Sequence, residues 1–129
     1  MTCYWDSIIS CLTKEDYSII GLTNTPTREK FIEKLKEKNK IITALWQGKP
    51  LSKKECEEHK EAIRLYNIKG IYNGHLTSTC DTFLLLICHL MNLNIDHKFL
   101  NTKIKYSCLG TPRRTLYFKS NRGHFQCGR

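Results

Sequence analysis

The sequence predicts an α+β fold, in which helices come first along the chain and a small, mostly antiparallel sheet comes last. Apolar residues recur at the helical spacing of 3.6 up to about Leu93, and at a spacing of two from Ile95 onward. A length of 129 residues suits one domain, and neither a repeat nor a linker divides the chain. We therefore expect residues 1–129 to form a single domain whose helices pack on a sheet built by the C-terminal third.

Helix signals divide the first part of the chain into four segments. The first two have an apolar face at helical spacing, and the third and fourth begin with a capping pattern, Ser52 with Glu55 and Ser78 with Asp81. The fourth is apolar almost all round, which predicts a buried central helix. The predicted positions are Cys3 to Leu12, Pro26 or Thr27 to the break at residues 48–50, Ser52 to about Tyr66, and Ser78 to Leu93.

Alternating apolar residues predict three or four short strands after the central helix. They lie at residues 95–99, 104–106, 116–118 and 124–126, with turns at residues 110–112 and 120–123. Short antiparallel strands joined by such turns are expected to form one sheet.

The net charge of +9 is concentrated at the end of the chain. Residues 98–129 contain eight Lys or Arg and no acid, because the last acid is Asp96. Such a basic segment suits phosphates, an anionic membrane surface or an acidic protein, or serves solubility alone. The spacing typical of a helix-turn-helix, a zinc finger or a single-strand binder is missing, so nucleic acid is not an expected partner.

Composition and cysteine pattern point to a folded protein of a reducing compartment. The longest apolar run, residues 83–88, is too short to span a membrane, and the first residues lack the features of a secretory signal. Seven cysteines without a C-x-x-C pair favour free thiols and a cytoplasmic location. His124 and Cys127 come nearest to a metal pair, but nothing in the sequence requires a metal or another cofactor.

A thiol and a histidine stand out as candidates for chemistry. Cys3 lies on the first turn of a predicted helix, where free backbone N–H groups and the helix dipole stabilise a thiolate. His124, between a glycine and an aromatic residue on the last strand, is the best candidate base. Cys80, close to His75 in sequence, is a rival nucleophile.

The remaining histidines and two of the cysteines have structural interpretations. His59 lies on a charged helix and is expected to be solvated. His89 is expected in the core with one hydrogen bond, and His97 faces either the core or a neighbouring strand. Cys11 and Cys88 fall on apolar faces and are expected to be small core residues.

Four stretches, in order along the chain, resemble the ovarian-tumour (OTU) family of cysteine proteases. The first resembles its nucleophile motif, the second its glycine-containing substrate loop, the third the strand after its central helix, and the fourth its terminal histidine-aromatic signature. They are residues 2–9 (TCYWDSII), 72–76 (YNGHL), 94–97 (NIDH) and 116–125 (LYFKSNRGHF).

The resemblance implies a papain-like, OTU-like fold and assigns roles to particular residues. Cys3 is then the nucleophile, and its backbone N–H helps to line the oxyanion hole. His124 is the general base and later the acid, and Phe125 packs under its imidazole. Gln126 takes the place of the family's third residue, although a dyad, or an acid or amide from elsewhere, also fits. The substrate tail is bound by Tyr72, Asn73, Gly74, His75 and Phe125.

The implied activity is removal of ubiquitin or a ubiquitin-like modifier by a monomeric thiol isopeptidase. The small size resembles viral members, which also process polyproteins, and would place the protein in the host cytoplasm. The alternative is a catalytically inactive OTU-like module whose basic C-terminal third docks an acidic protein or RNA.

Overall fold

Helices packed on a mixed sheet make up the computed structural model, which confirms the α+β class. The structure describes residues 3–40, 42–68 and 80–128, with Cys3 described by its backbone alone. Along these ranges the elements are α1 (Cys3–Cys11), α2 (Lys14–Ile19), α3 (Arg28–Glu37), β1 (Leu45–Trp46), β2 (Lys49–Pro50), α4 (Lys53–Leu65), α5 (Thr82–Met91), β3 (Asn94–Phe99), β4 (Thr102–Ser107), β5 (Thr115–Asn121) and β6 (His124–Cys127).

The described strands form one sheet in the order β2-β1-β4-β3-β5-β6. Neighbouring strands are antiparallel except β3 and β5, which are parallel. The prediction that the C-terminal third builds the whole sheet is wrong, because β1 and β2 pair with each other and β1 pairs with β4. Gln47 and Gly48 join them with φ values of 55° and 77°, which suits a tight hairpin turn. Strands of two residues are too short to show a period.

Side-chain caps set most of the helix starts. Ser52 and Glu55 form the predicted capping box of α4, and Thr13 begins the unpredicted α2 in the same way. The fourth helix begins later than predicted: Asp81 is the N-cap of α5, and its carboxylate accepts from the N–H groups of Phe83 and Leu84. Ser78, predicted to share in this cap, lies outside the described residues.

The core lies between the helices and one face of the sheet. Helix α5 is its centre, with eight of its ten residues buried, as its apolar sequence predicts. Trp5 and Ile8 of α1 and Phe31 and Leu35 of α3 pack into the same cluster. None of the helices in the described ranges is long and apolar enough to cross a membrane.

A disulfide joins Cys11, the last residue of α1, to Cys127, the last residue of β6. The expectation of free thiols is therefore wrong for this pair, and Cys11, expected to be a small core residue, is only partly buried against the core. Helix α1 lies along β6 and brings the two thiols together. The sequence did not indicate this pairing, because the two cysteines are 116 positions apart in the chain. The bond also removes Cys127 as a metal partner for His124. Cys88 is a free, buried cysteine, as predicted.

Candidate active site

The first turn of α1 is held between the central helix and the last strand. The Tyr4 hydroxyl donates to the Asp81 carboxylate, whose oxygens lie 2.8 and 2.7 Å away, and the Tyr4 ring lies 4.9 Å from that of Phe125. Burial raises the pKa of Tyr4 well above its ordinary value, and the Asp81 charge raises it further. The phenol is thus a permanent donor, and it fixes the backbone next to Cys3.

Helix α1 runs beside β6 and in the same direction. The Ser7 hydroxyl donates to the backbone carbonyl of Phe125 at 2.9 Å, and Cys11 is bonded to Cys127. Four helical residues advance about 6 Å, close to the advance of two strand residues. Cys3, four residues before Ser7, therefore begins the helix at the end of β6 that carries His124.

His124 and Gln126 lie together at the edge of the sheet. The Nε2 atom of His124 is 3.0 Å from Oε1 of Gln126. An amide oxygen only accepts, so this contact places the ring proton on Nε2 and leaves Nδ1 able to take a proton. The imidazole is exposed to solvent. The resemblance to the OTU family implies a contact of this kind for Gln126.

Phe125 takes a core position between these two residues. Its ring is fully buried, with ring centroids 4.9 Å from Tyr4, 5.3 Å from His97 and 5.1 Å from Phe118. The expected packing beneath His124 is wrong, because successive strand residues point to opposite faces. A ring without exposed surface acts by positioning α1 against β6.

Cys80 has a histidine partner that the sequence did not indicate. Its sulfur lies 3.8 Å from Nε2 of His59, while Nδ1 of His59 lies 2.7 Å from the Thr82 hydroxyl. The expectation of a solvated His59 is therefore wrong. One turn after the capping Glu55, this histidine faces the start of α5, a tertiary contact that the charged pattern of α4 conceals. His75, the partner suggested by sequence, lies outside the described residues.

The environment of Cys80 disfavours a thiolate. Burial raises the pKa of the Cys80 thiol to about 12, with further contributions from the carboxylates of Asp81 and Glu55. The Asp81 carboxylate already caps the N-terminus of α5. The helix dipole therefore stabilises the charge of Asp81 instead of a thiolate on Cys80. The pair suits a structural contact better than nucleophilic chemistry.

Two more histidines have structural partners. His97 is buried, as one of the two predicted orientations requires, and its Nε2 lies 2.7 Å from the Ser120 hydroxyl. His89 is half-buried, and its Nδ1 accepts from the Thr43 N–H at 3.0 Å. Burial, followed by the charge of Lys40, lowers the pKa of His89. His89 is thus less buried than expected.

The predicted substrate loop lies outside the described residues, and with it Tyr72, Asn73, Gly74 and His75. Within the described ranges, no cluster of three or more His, Cys, Asp or Glu side chains could hold a metal ion.

Comparison of the chain with family models, with curated proteins and with solved structures gave no match.

Proposed function

We propose that the protein is a thiol-dependent isopeptidase that removes ubiquitin or a ubiquitin-like protein, with Cys3 as nucleophile and His124 as base. The observation that carries the proposal is the course of α1 along β6, which brings the backbone of Cys3 to the end of the strand that carries His124, on the face of β6 opposite to the His124 side chain. The contact between His124 and Gln126 adds an oriented imidazole.

The reaction follows from these roles. Nδ1 of His124 takes the Cys3 thiol proton, and the thiolate attacks the carbonyl carbon of the isopeptide bond. Backbone N–H groups at the start of α1 stabilise the oxyanion. The imidazolium then gives its proton to the leaving amine, and the C–N bond breaks to leave a thioester on Cys3. Water, deprotonated by His124, hydrolyses the thioester and restores the thiol.

The substrate class rests on the resemblance of four stretches of sequence to the OTU family. The fold and the activity of that family are part of the proposal. Family members cleave after the C-terminal glycines of the modifier.

Reaction with ubiquitin that carries an electrophilic C-terminus tests the proposal. We expect the wild-type protein to form one covalent adduct, measured by intact mass, and Cys3→Ala to form none. Cys80→Ala is the matched control, since it removes a thiol that lies 3.8 Å from a histidine nitrogen, and it should react like the wild type. An adduct that is lost in Cys80→Ala and kept in Cys3→Ala would contradict the assignment.

A histidine pair supplies a second control. We expect His124→Ala to slow adduct formation by about two orders of magnitude or more, and His59→Ala to leave the rate unchanged. Circular dichroism spectra establish that each variant is folded. A folded wild-type protein that reacts with neither ubiquitin nor ubiquitin-like probes overturns the proposed activity.

A further inference from the structure

The outer face of the sheet, opposite the helices, carries a concentration of lysines. Lys98 of β3 lies directly opposite Lys103 of β4 on one side and Lys119 of β5 on the other. The next row places Asp96 between Lys105 and Tyr117. We call the four exposed lysines 98, 103, 105 and 119 the lysine face.

Such an arrangement opposes the stability of the sheet. Side chains directly opposite each other on neighbouring strands are about 5 Å apart at Cβ, and like charges there repel. The four lysines and Asp96 leave a net charge of +3 on this part of the sheet. An anionic ligand would remove the repulsion.

The lysine face carries two depressions that share lining residues, and one of them reaches His124. One depression runs between Lys98, Lys103, Lys105 and Lys119. A second shares Lys98 and Lys119 with the first and continues to His124 and Gln126. A ligand that lies across the strands therefore passes from the lysines to the His124 end of β6.

We infer that the lysine face binds an acidic, extended protein segment. In an extended chain, alternate side chains repeat at about 6.6 Å and point to one side, so a run of Glu or Asp can place successive carboxylates along the lysines. Lysine ammonium groups on flexible stems adapt to such carboxylates one at a time.

Two features of the face favour a protein segment over single-stranded nucleic acid. Sequence-tolerant binding of single strands depends on stacking of bases on aromatic rings. On the described strands β3 to β6, Tyr117 is the one Phe, Tyr or Trp side chain of this face, and it is half-buried. The Asp96 carboxylate beside it repels phosphates, whereas it can accept from a backbone N–H or a hydroxyl of a peptide.

Fluorescence anisotropy tests the inference, with a labelled peptide of alternating glutamate and serine as the probe. The same peptide with glutamine for glutamate is the neutral control. We expect the wild-type protein to bind the acidic peptide with an affinity that falls as salt is added, and not to bind the neutral one. Lys98→Glu/Lys103→Glu should raise Kd by about tenfold or more.

The matched control is Lys53→Glu/Lys54→Glu, which makes the same change in net charge at two exposed positions of α4. We expect it to change Kd by about twofold at most. Where the charge reversal impairs folding, Lys98→Gln/Lys103→Gln gives the same comparison with less perturbation.

Three results would overturn the inference: no binding of the acidic peptide, equal weakening by the control variant, or tighter binding of a labelled oligouridylate than of the peptide at the same salt concentration. Because binding is measured without turnover, the result is independent of the proposed isopeptidase activity.

Discussion

The Tyr4 hydroxyl and the Asp81 carboxylate are in hydrogen-bond contact although 77 positions separate them in the chain. Asp81 also accepts from the first N–H groups of α5, and its own N–H donates to the Tyr106 hydroxyl at 2.9 Å. One buried residue thus caps the central helix and holds the turn of α1 that begins at Cys3. The backbone of the proposed nucleophile is tied to α5, the most buried of the described helices.

Tyr4→Phe removes this tie and keeps the ring that packs on Phe125. We expect the free energy of unfolding to fall by about 2 kcal/mol, because the hydrogen bond is to a charged group in a buried setting. We also expect the ubiquitin probe to react more slowly, since the first turn of α1 loses an anchor. Denaturant unfolding and the rate of adduct formation measure the two effects.

Tyr17→Phe is the control for that experiment. The Tyr17 hydroxyl donates to the backbone carbonyl of Ile9, near the other end of α1, and it is also buried. Its loss should lower stability without slowing the probe reaction. Equal rates for Tyr4→Phe and the wild type would argue against the anchoring role.

Gln126 is expected to act as a positioning residue, because it touches the His124 ring and not the reacting atoms. Gln126→Ala should lower kcat by about tenfold or more with little change in KM. Gln126→Glu keeps an acceptor oxygen and should recover much of the rate. Since its carboxylate stabilises the protonated imidazolium, the acid limb of the pH–rate profile should move to higher pH. A profile identical to that of the wild type would exclude contact with the base during turnover.

Local patterns predicted much of the fold. Alternation identified each strand from β3 to β6, and a capping box identified the start of α4, because both signals lie within a few neighbouring residues. The start of α5 was misplaced because Asp81 caps that helix by itself. The hairpin β1-β2 is too short for periodicity, and its place in the sheet depends on pairing with β4, far along the chain.

The candidate site was harder to predict from the sequence than the fold, because its contacts join residues that are far apart in the chain. Residue types at the ends of elements suggested Cys3 and His124, and the resemblance to the OTU family implied Gln126. The partnership of Cys80 with His59 and the disulfide between Cys11 and Cys127 arise from packing of α4 on α5 and of α1 on β6. No periodicity within a single element encodes such pairings.

Asp16 makes the stability of the fold sensitive to acid. It is buried and paired with the guanidinium groups of Arg113 and Arg114, which link α2 to the segment before β5. Burial raises the pKa of this carboxyl, but the hydrogen bonds from Arg113 and the Thr13 N–H and the charge of Arg114 lower it more, so the pKa lies below its ordinary value. The pairing therefore stabilises the fold above the pKa of the unfolded state, and this stabilisation is lost as pH falls through the lower, folded value.

Asp16→Asn should lower the free energy of unfolding at neutral pH by about 3 kcal/mol, because two arginines lose their buried partner. It should also flatten the fall in stability below about pH 4. Urea denaturation over a pH series checks both. Glu61→Gln, which disrupts the exposed pair with Arg64, is the control and should leave the pH series unchanged. If the free energy of unfolding fell equally steeply in acid for Asp16→Asn and the wild type, the prediction would be contradicted.

The disulfide between Cys11 and Cys127 closes nearly the whole chain into a loop, with 116 positions between its ends. Constraint of the unfolded chain by such a loop stabilises a protein by about 4–5 kcal/mol in the chain-entropy description. Cys11→Ser/Cys127→Ser should therefore unfold at much lower denaturant concentration than the wild type. A thiol reductant should destabilise the wild type to a similar extent and leave the double variant unaffected. Cys80→Ser, which keeps the disulfide, should remain sensitive to reductant.

Loss of the disulfide should also affect the proposed active site, because the bond holds the end of α1 against β6. With it broken, Ser7 and Tyr4 remain as contacts to Phe125, so we expect the probe reaction to become slower without being abolished. The rate of the probe reaction is measured with and without reductant, in the absence of denaturant, where both forms are folded. This separates the effect on the site from unfolding. An unchanged rate in the folded double variant would show that the first turn of α1 is positioned without the bond, through Tyr4 and its contacts with Asp81 and Phe125.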